Sequence, residues 1–270
     1  MSNKVIKKLA NKIRLDLLKI IFNSKSSHIA SCLSIVDLLA VLYGKKIIKF
    51  NPNKPYLSDR DIFILSKGHA AAALYAVLAN VGYFSKRKLL EYGSDNSNFM
   101  AHASHKVPGV EFSTGSLGHG LPIACGLAVA KKRKKLSNYI YVINSDGEMA
   151  EGSNWEAILF ASHHKLDNLI LIIDYNKLQS FDSVENTLGI EPMKDKFLSF
   201  GWNVYEIDGH NYKSIEQVLL TCKSSKGKPK CIIANTLKGK GISFMENKVE
   251  WHYKNPNKIE FDQAVKELIL

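Results

Sequence analysis

Two apolar runs about thirty residues apart leave this chain few folds to choose from. Residues 139–144 read Tyr-Ile-Tyr-Val-Ile-Asn, and residues 168–174 read Asn-Leu-Ile-Leu-Ile-Ile-Asp. β-Branched and aromatic side chains favour strands, and the nearly unbroken second run suits a strand buried on both faces. Between them, Asn154 to His164 is helix-like and carries apolar Trp155, Ile158, Leu159 and Ala161. A right-handed strand–helix–strand crossover makes the two strands parallel and puts both carboxyl ends at one edge of the sheet. Ligands of open α/β sheets bind outside that edge. Asp146 and Asn176 both fall there. A carboxylate and an amide oxygen, with a main-chain carbonyl nearby, suit a hard divalent cation that holds a phosphate. An ordinary crossover with an aspartate at its turn would show the same local pattern.

The flanking sequence continues the alternation. Helical patterns cover about 4–23 and 34–43, and 60–65 reads as a strand followed by Ser-Lys-Gly-His and a helix through Ala79. Residues 86–92 suggest a short helix, and 118–135 a longer one. Between them, 94–117 is irregular, and loops of that length inside a domain are usually functional. Later come a loop at 177–193, a strand near 203–207, a helix near 213–223, a strand at 230–235 and a closing helix near 259–269. The expected fold is α/β: an open, mostly parallel sheet with helices on both faces. At 270 residues with 46% hydrophobic content, the chain is expected to form one domain over 1–270.

The formal charge of +12 brings nucleic acid into question. The densest cluster, Lys131 to Lys135, closes a predicted helix, where cations complement the helix dipole. A solvated face is the expectation, with no nucleic-acid partner. Cys32, Cys125, Cys222 and Cys231 are scattered, as buried thiols of a reducing compartment would be. No apolar window is long enough for a membrane span, and the basic N-terminus reads as an amphipathic helix. A cytoplasmic location is expected.

Two further constellations carry chemistry. Gly115, Gly118 and Gly120 precede a helix in STGSLGHGLPIACGLA, so their backbone could present amides to an anion. His28, His69, His102 and His252 each stand at a loop position. Imidazoles can donate or accept a proton near neutral pH, although a lone histidine is more often a satisfied polar group.

Three of these elements together, Asp146-Gly147, the EG-x-x-WEA run at 151–157 and Asp-Tyr-Asn-Lys-Leu-Gln at 174–179, resemble the diphosphate-binding motif of thiamine-diphosphate enzymes, and the transketolase branch in particular. The resemblance spans about residues 10–255. It implies the thiamine-diphosphate-binding fold, with Mg²⁺ (or Ca²⁺ or Mn²⁺) held by Asp146, Asn176 and the main-chain carbonyl of Leu178. It implies cofactor contacts from His69, Gly115, Ser116, Leu117, Gly147 and Glu148. His28, His69 and His102 would line the substrate channel, and His252 matches the late family histidine in KGKG…WH. Glu151 matches a carboxylate that links two cofactor sites across a dimer; it could equally cap the helix that follows. Three positions depart from the family: Ser145 for its first glycine, His119 for a glutamine, and Ala-His-Ala-Ser-His at 101–105 for Gly-His-Pro, so His105 could replace His102 at the site. Serine at 145 is tolerated unless the backbone there needs positive φ. Asp208-Gly209-His210 resembles the family's DGH element and is expected to be structural.

The family activates its cofactor with a glutamate from a second, pyrimidine-binding domain, and no candidate for it stands in this sequence. The resemblance therefore implies the N-terminal subunit of a split transketolase, working only with a C-terminal subunit, on sugar phosphates, as a heterotetramer. Three alternatives stay open: a transketolase-like enzyme of a dedicated sugar or surface-polysaccharide pathway, the α subunit of a 2-oxo acid dehydrogenase, and a non-enzymatic cofactor-binding scaffold.

Overall fold

The computed structural model describes residues 1–269. Its sheet has five strands: β1 (Ile62–Leu65), β2 (Ile140–Ser145), β3 (Leu169–Tyr175), β4 (Asn203–Asp208) and β5 (Lys230–Asn235). They run in the order β1-β2-β3-β5-β4, and every pair is parallel. Parallel strands need helical crossovers, which cover both faces. One face carries α1 (Asn3–Ser24), α2 (Ile29–Ser34), α3 (Val36–Gly44), α4 (Ala71–Asn80), α9 (Tyr212–Ser224) and α10 (Lys258–Ile269). The other carries α5 (Gly120–Arg133), α6 (Gly152–His163), α7 (Val184–Leu188) and α8 (Met193–Ser199).

The strand period of two divides the apolar residues between the layers. Tyr141, Ile143, Ile170, Ile172 and Ile232 enter the first core, while Ile140, Val142, Leu169, Leu171 and Ile173 enter the second. β2 and β3 are buried on both sides, which explains their unbroken apolar runs. α1 is amphipathic as expected, with Ile6, Ala10, Ile13, Leu17 and Ile21 buried along one stripe. All four cysteines are buried free thiols.

Two expectations need correction. The helix read at 34–43 is α3, and a separate short helix not expected there, α2, precedes it across Ile35. The loop expected at 177–193 contains α7, and α8 follows it directly. These helices are five and seven residues long, too short to show a period. Ser183 was the available signal: its side chain accepts from the Asn186 N–H at 3.0 Å as an N-cap. Among the described residues, no helix is long and apolar enough to cross a membrane.

Candidate active site

The carboxyl ends of four strands meet at a pocket of about 220 Å³. The turn after β1 supplies His69, β2 ends in Ser145, Asp146 and Gly147, β3 leads to Asn176, Leu178 and Gln179, and Lys238 follows β5. His28, Ser31, His102, Gly115, Leu117, His252 and Tyr253 complete the wall. A larger groove of about 700 Å³ between α1 and residues 43–52 is lined by aliphatic side chains and lysines, with no carboxylate or imidazole. The smaller pocket therefore holds the chemistry.

Asp146 is buried, and among the described residues its oxygens accept only from main-chain N–H groups, Gly147 at 2.7 Å and Lys177 at 2.5 Å. Burial pushes its pKa up to about 7, and the nearby Asp174 carboxylate adds to the rise. Such a group favours a cation. Asn176 stands beside it and donates from Nδ2 to Asp174 Oδ2 at 3.1 Å, which turns its Oδ1 the other way to accept from the Leu178 N–H. A carboxylate, an amide oxygen and the Leu178 carbonyl, which accepts from the Lys238 ammonium at 3.1 Å, would make a hard-oxygen donor set of the kind Mg²⁺ takes. The Gln179 Nε2 group is buried without a hydrogen-bond partner in the same wall. The Gln179 side chain lies over Gly147, where an added Cβ would come within 2.9 Å of Gln179 Cγ. An acceptor oxygen from a bound phosphate would satisfy that orphaned donor. The residues present thus fit a metal-bound diphosphate.

Behind the pocket lies a buried ion pair. Lys67 and Asp174 are fully buried, with Nζ 2.5 Å from Oδ2. Burial opposes ionisation of Asp174, but the Lys67 charge and bonds from Lys67, Ser34 and Thr236 hold its pKa below the usual range. Lys67 also donates to the Ser31 carbonyl at 3.1 Å, and the Ser31 hydroxyl bonds His69 Nε2 at 2.9 Å. One pair therefore orients both the Asn176 amide and the His69 ring.

Three imidazoles gather around His28. Its ring centroid lies 5.2 Å from His69, 5.9 Å from His102 and 5.0 Å from His252. Burial pushes His28 down to about 4, with His102, Lys67 and Lys238 adding to it. Burial and the Lys238 charge push His252 down to about 3, and burial with Lys67 holds His69 well below its ordinary value. At neutral pH these three rings are uncharged, each with one donor and one acceptor, which suits sugar hydroxyls and proton shuttling.

The sequence placed most of these residues but not all. His102 lines the pocket, whereas His105 is exposed and bonded to Ser113. Ser145 needs no positive φ, so the serine is tolerated there. His210 is structural, held between Asp37 and the Leu237 N–H. Two expected cofactor contacts do not line the pocket. Ser116 is exposed. Glu148 is fully buried, and its carboxylate accepts from the Ser66 hydroxyl and the Gly118 and Ser145 N–H groups, so it braces that loop from within. Glu151 is the N-cap residue of α6, but its side chain is exposed and makes no cap bond. Sequence reasoning missed Ser31, Lys67, Asp174, Gln179, Lys238 and Tyr253. Lys67 offered one signal, a charge set directly between a buried strand and a helix of alanines.

A parallel sheet with a carboxylate, an amide and a glycine turn at its carboxyl edge defines an α/β domain for a phosphorylated cofactor. Residues 5–267 match the family model described as transketolase, thiamine diphosphate binding domain. An apulose-4-phosphate transketolase subunit from Actinobacillus succinogenes is 42% identical, over 97% of this chain and 95% of its own. The 6-deoxy-6-sulfo-D-fructose transketolase subunit SqwG of a Clostridium species is 40% identical, over 96% and 94%. The solved transketolase of Campylobacter jejuni superposes with a TM-score of 0.95 at 32% identity, over 100% of this chain and 43% of that one. The chain belongs to the transketolase family and corresponds to its thiamine diphosphate binding domain. It spans nearly the whole of those two relatives and less than half of the solved enzyme.

Proposed function

We propose that this chain is the diphosphate-binding subunit of a two-chain transketolase, transferring a two-carbon ketol unit from a ketose phosphate to an aldose phosphate. The observation that carries the reading is Asp146: a buried carboxylate with no cationic side chain bonded to it, next to Asn176 and an unpartnered Gln179 amide. Asp146, Asn176 and the Leu178 carbonyl would hold Mg²⁺, and Ca²⁺ or Mn²⁺ would suit the same oxygens. When bound, thiamine diphosphate supplies the electron sink for carbon–carbon cleavage. Gly115, Leu117 and Gly147 leave room for it, and the bonded His69 and Ser31 pair faces the same space. His28, His102 and His252 bind sugar hydroxyls and move protons between them and the reacting carbonyl.

The partner is a C-terminal transketolase subunit that brings the activating glutamate, and a heterotetramer closes the sites between chains. The buried free thiols suit the cytoplasm. A second reading keeps this chemistry for a dedicated sugar, favoured by relatives named for apulose-4-phosphate and 6-deoxy-6-sulfo-D-fructose. The test is a ketol-transfer assay with thiamine diphosphate and Mg²⁺, using this chain with and without the product of the adjacent gene. Transfer that needs both chains supports the main reading. Cofactor binding by the pair without transfer from common sugar phosphates supports the dedicated sugar. No cofactor binding by the pair overturns both.

A further inference from the structure

One wall of the pocket belongs to neither the metal ligands nor the imidazoles. Tyr253 lines the rim and is 57% exposed. Its ring centroid lies 4.7 Å from that of His252 and 5.9 Å from that of His28. Among the described residues, nothing bonds its hydroxyl, so the phenol is free to meet a ligand.

The chain on either side of the ring is anchored although it sits outside regular structure. Trp251 is buried, and its indole N–H donates to the Phe244 carbonyl at 3.0 Å. The His28 N–H donates to the His252 carbonyl at 2.8 Å. Beyond Tyr253, the Asn255 amide donates to the Ile21 and Ser26 carbonyls at 2.7 and 2.9 Å. Tyr253 thus stands between two anchored points, as a selective wall must.

The neighbouring imidazoles point to the sugar as its ligand. On the reading above, His28 and His252 bind the sugar hydroxyls, and the Tyr253 ring stands beside both at the exposed side of the pocket. A phenol there offers a flat apolar face and one hydroxyl that both donates and accepts.

We propose that Tyr253 is a specificity-determining residue of the ketol-transfer site, its ring limiting the length of the ketose and its hydroxyl bonding a sugar hydroxyl. This rests on the transketolase reading above. The test uses the assembled two-chain enzyme loaded with thiamine diphosphate and Mg²⁺, with five- and seven-carbon ketose phosphates as donors to one aldose phosphate. Tyr253→Ala should raise the seven-to-five ratio of kcat/KM about tenfold, the discrimination a few buried carbons provide. Tyr253→Phe should keep the ratio and raise KM for both donors about fivefold, the loss of one hydrogen bond. Cofactor affinity, read by fluorescence titration, should stay unchanged in both variants. A ratio unmoved by Tyr253→Ala overturns the proposal while leaving the activity intact. Cofactor affinity that falls in step with kcat/KM overturns it in favour of a scaffolding role. A wild-type pair that transfers no ketol unit removes the activity reading, and this proposal with it.

Discussion

Replacing Lys67 by methionine tests whether one buried ion pair organises the site. The substitution keeps the length and apolar stem of the side chain and removes only the ammonium. Asp174, also fully buried, then loses its 2.5 Å cationic partner and keeps the Ser34, Thr236 and Asn176 donors. Breaking a buried pair from one side costs about 3–5 kcal/mol, because the remaining charge is left uncompensated. For a chain of this size that lowers Tm by about 10 °C. Asp174→Asn alone should also destabilise, by leaving the Lys67 ammonium buried. The double variant, Lys67→Met with Asp174→Asn, carries neither charge and should recover at least about 2 kcal/mol relative to the sum of the single losses. The pH dependence has a definite sign. In the wild type the Asp174 pKa is depressed, so its contribution is present above its unfolded pKa and is lost as pH falls through the folded value. In Lys67→Met the folded pKa rises above the unfolded one, so the penalty is full at neutral pH and shrinks in acid. Urea denaturation at pH 7, pH 5 and pH 3 reads both effects. A single variant within about 1 kcal/mol of wild type at pH 7, or losses that simply add, would refute the reasoning.

Other expectations follow from the same geometry. Without metal, the raised Asp146 pKa of about 7 makes the folded state hold a proton that the unfolded chain releases, so the Asp146 contribution to stability should fall as pH rises from about 4 to about 7, against the opposite contribution of the depressed His28, His69 and His252. Saturating Mg²⁺ and Asp146→Asn should each remove the Asp146 contribution, read as the difference in urea midpoint from the metal-free wild type across the range. Asp146→Ala should also eliminate Mg²⁺-dependent cofactor binding by the two-chain complex in calorimetry; retained affinity would exclude the metal assignment. His69→Ala should lower kcat by about 100-fold while changing cofactor affinity much less, measured by steady-state rates beside fluorescence titration. Gly118→Ala should destabilise by at least about 1–2 kcal/mol, because φ is +85° there and the new Cβ would come within 2.6 Å of Glu151 Cβ; a Tm equal to wild type would contradict it.

The legible part of the site was the part carried by chain-local chemistry. Asp146 and Asn176 each follow a strand whose apolar pattern announces itself, so their meeting at one edge follows from crossover handedness. Glu148 shows the limit. The resemblance makes this carboxylate, two residues after Asp146, a cofactor contact, yet its side chain turns inward to Ser66 and Gly118, which lie 82 and 30 residues away along the chain. The choice between His102 and His105 was likewise undecided by spacing. Both follow the same irregular loop, and only its path puts His102 against Gly115 and sends His105 to Ser113.

The sequence by itself determined the layers, the parallel sheet and the edge where the pocket lies. Those follow from period-two and helical burial and from the fixed hand of strand crossovers, which act over a few tens of residues. Tertiary structure alone decided the charge states and the contents of the wall. The pairing of Lys67 with Asp174, the neutrality of His28, His69 and His252, and the arrival of Lys238 and Tyr253 at the pocket all join segments remote in sequence. Desolvation and Coulomb energy depend on three-dimensional neighbours, and no local pattern encodes them.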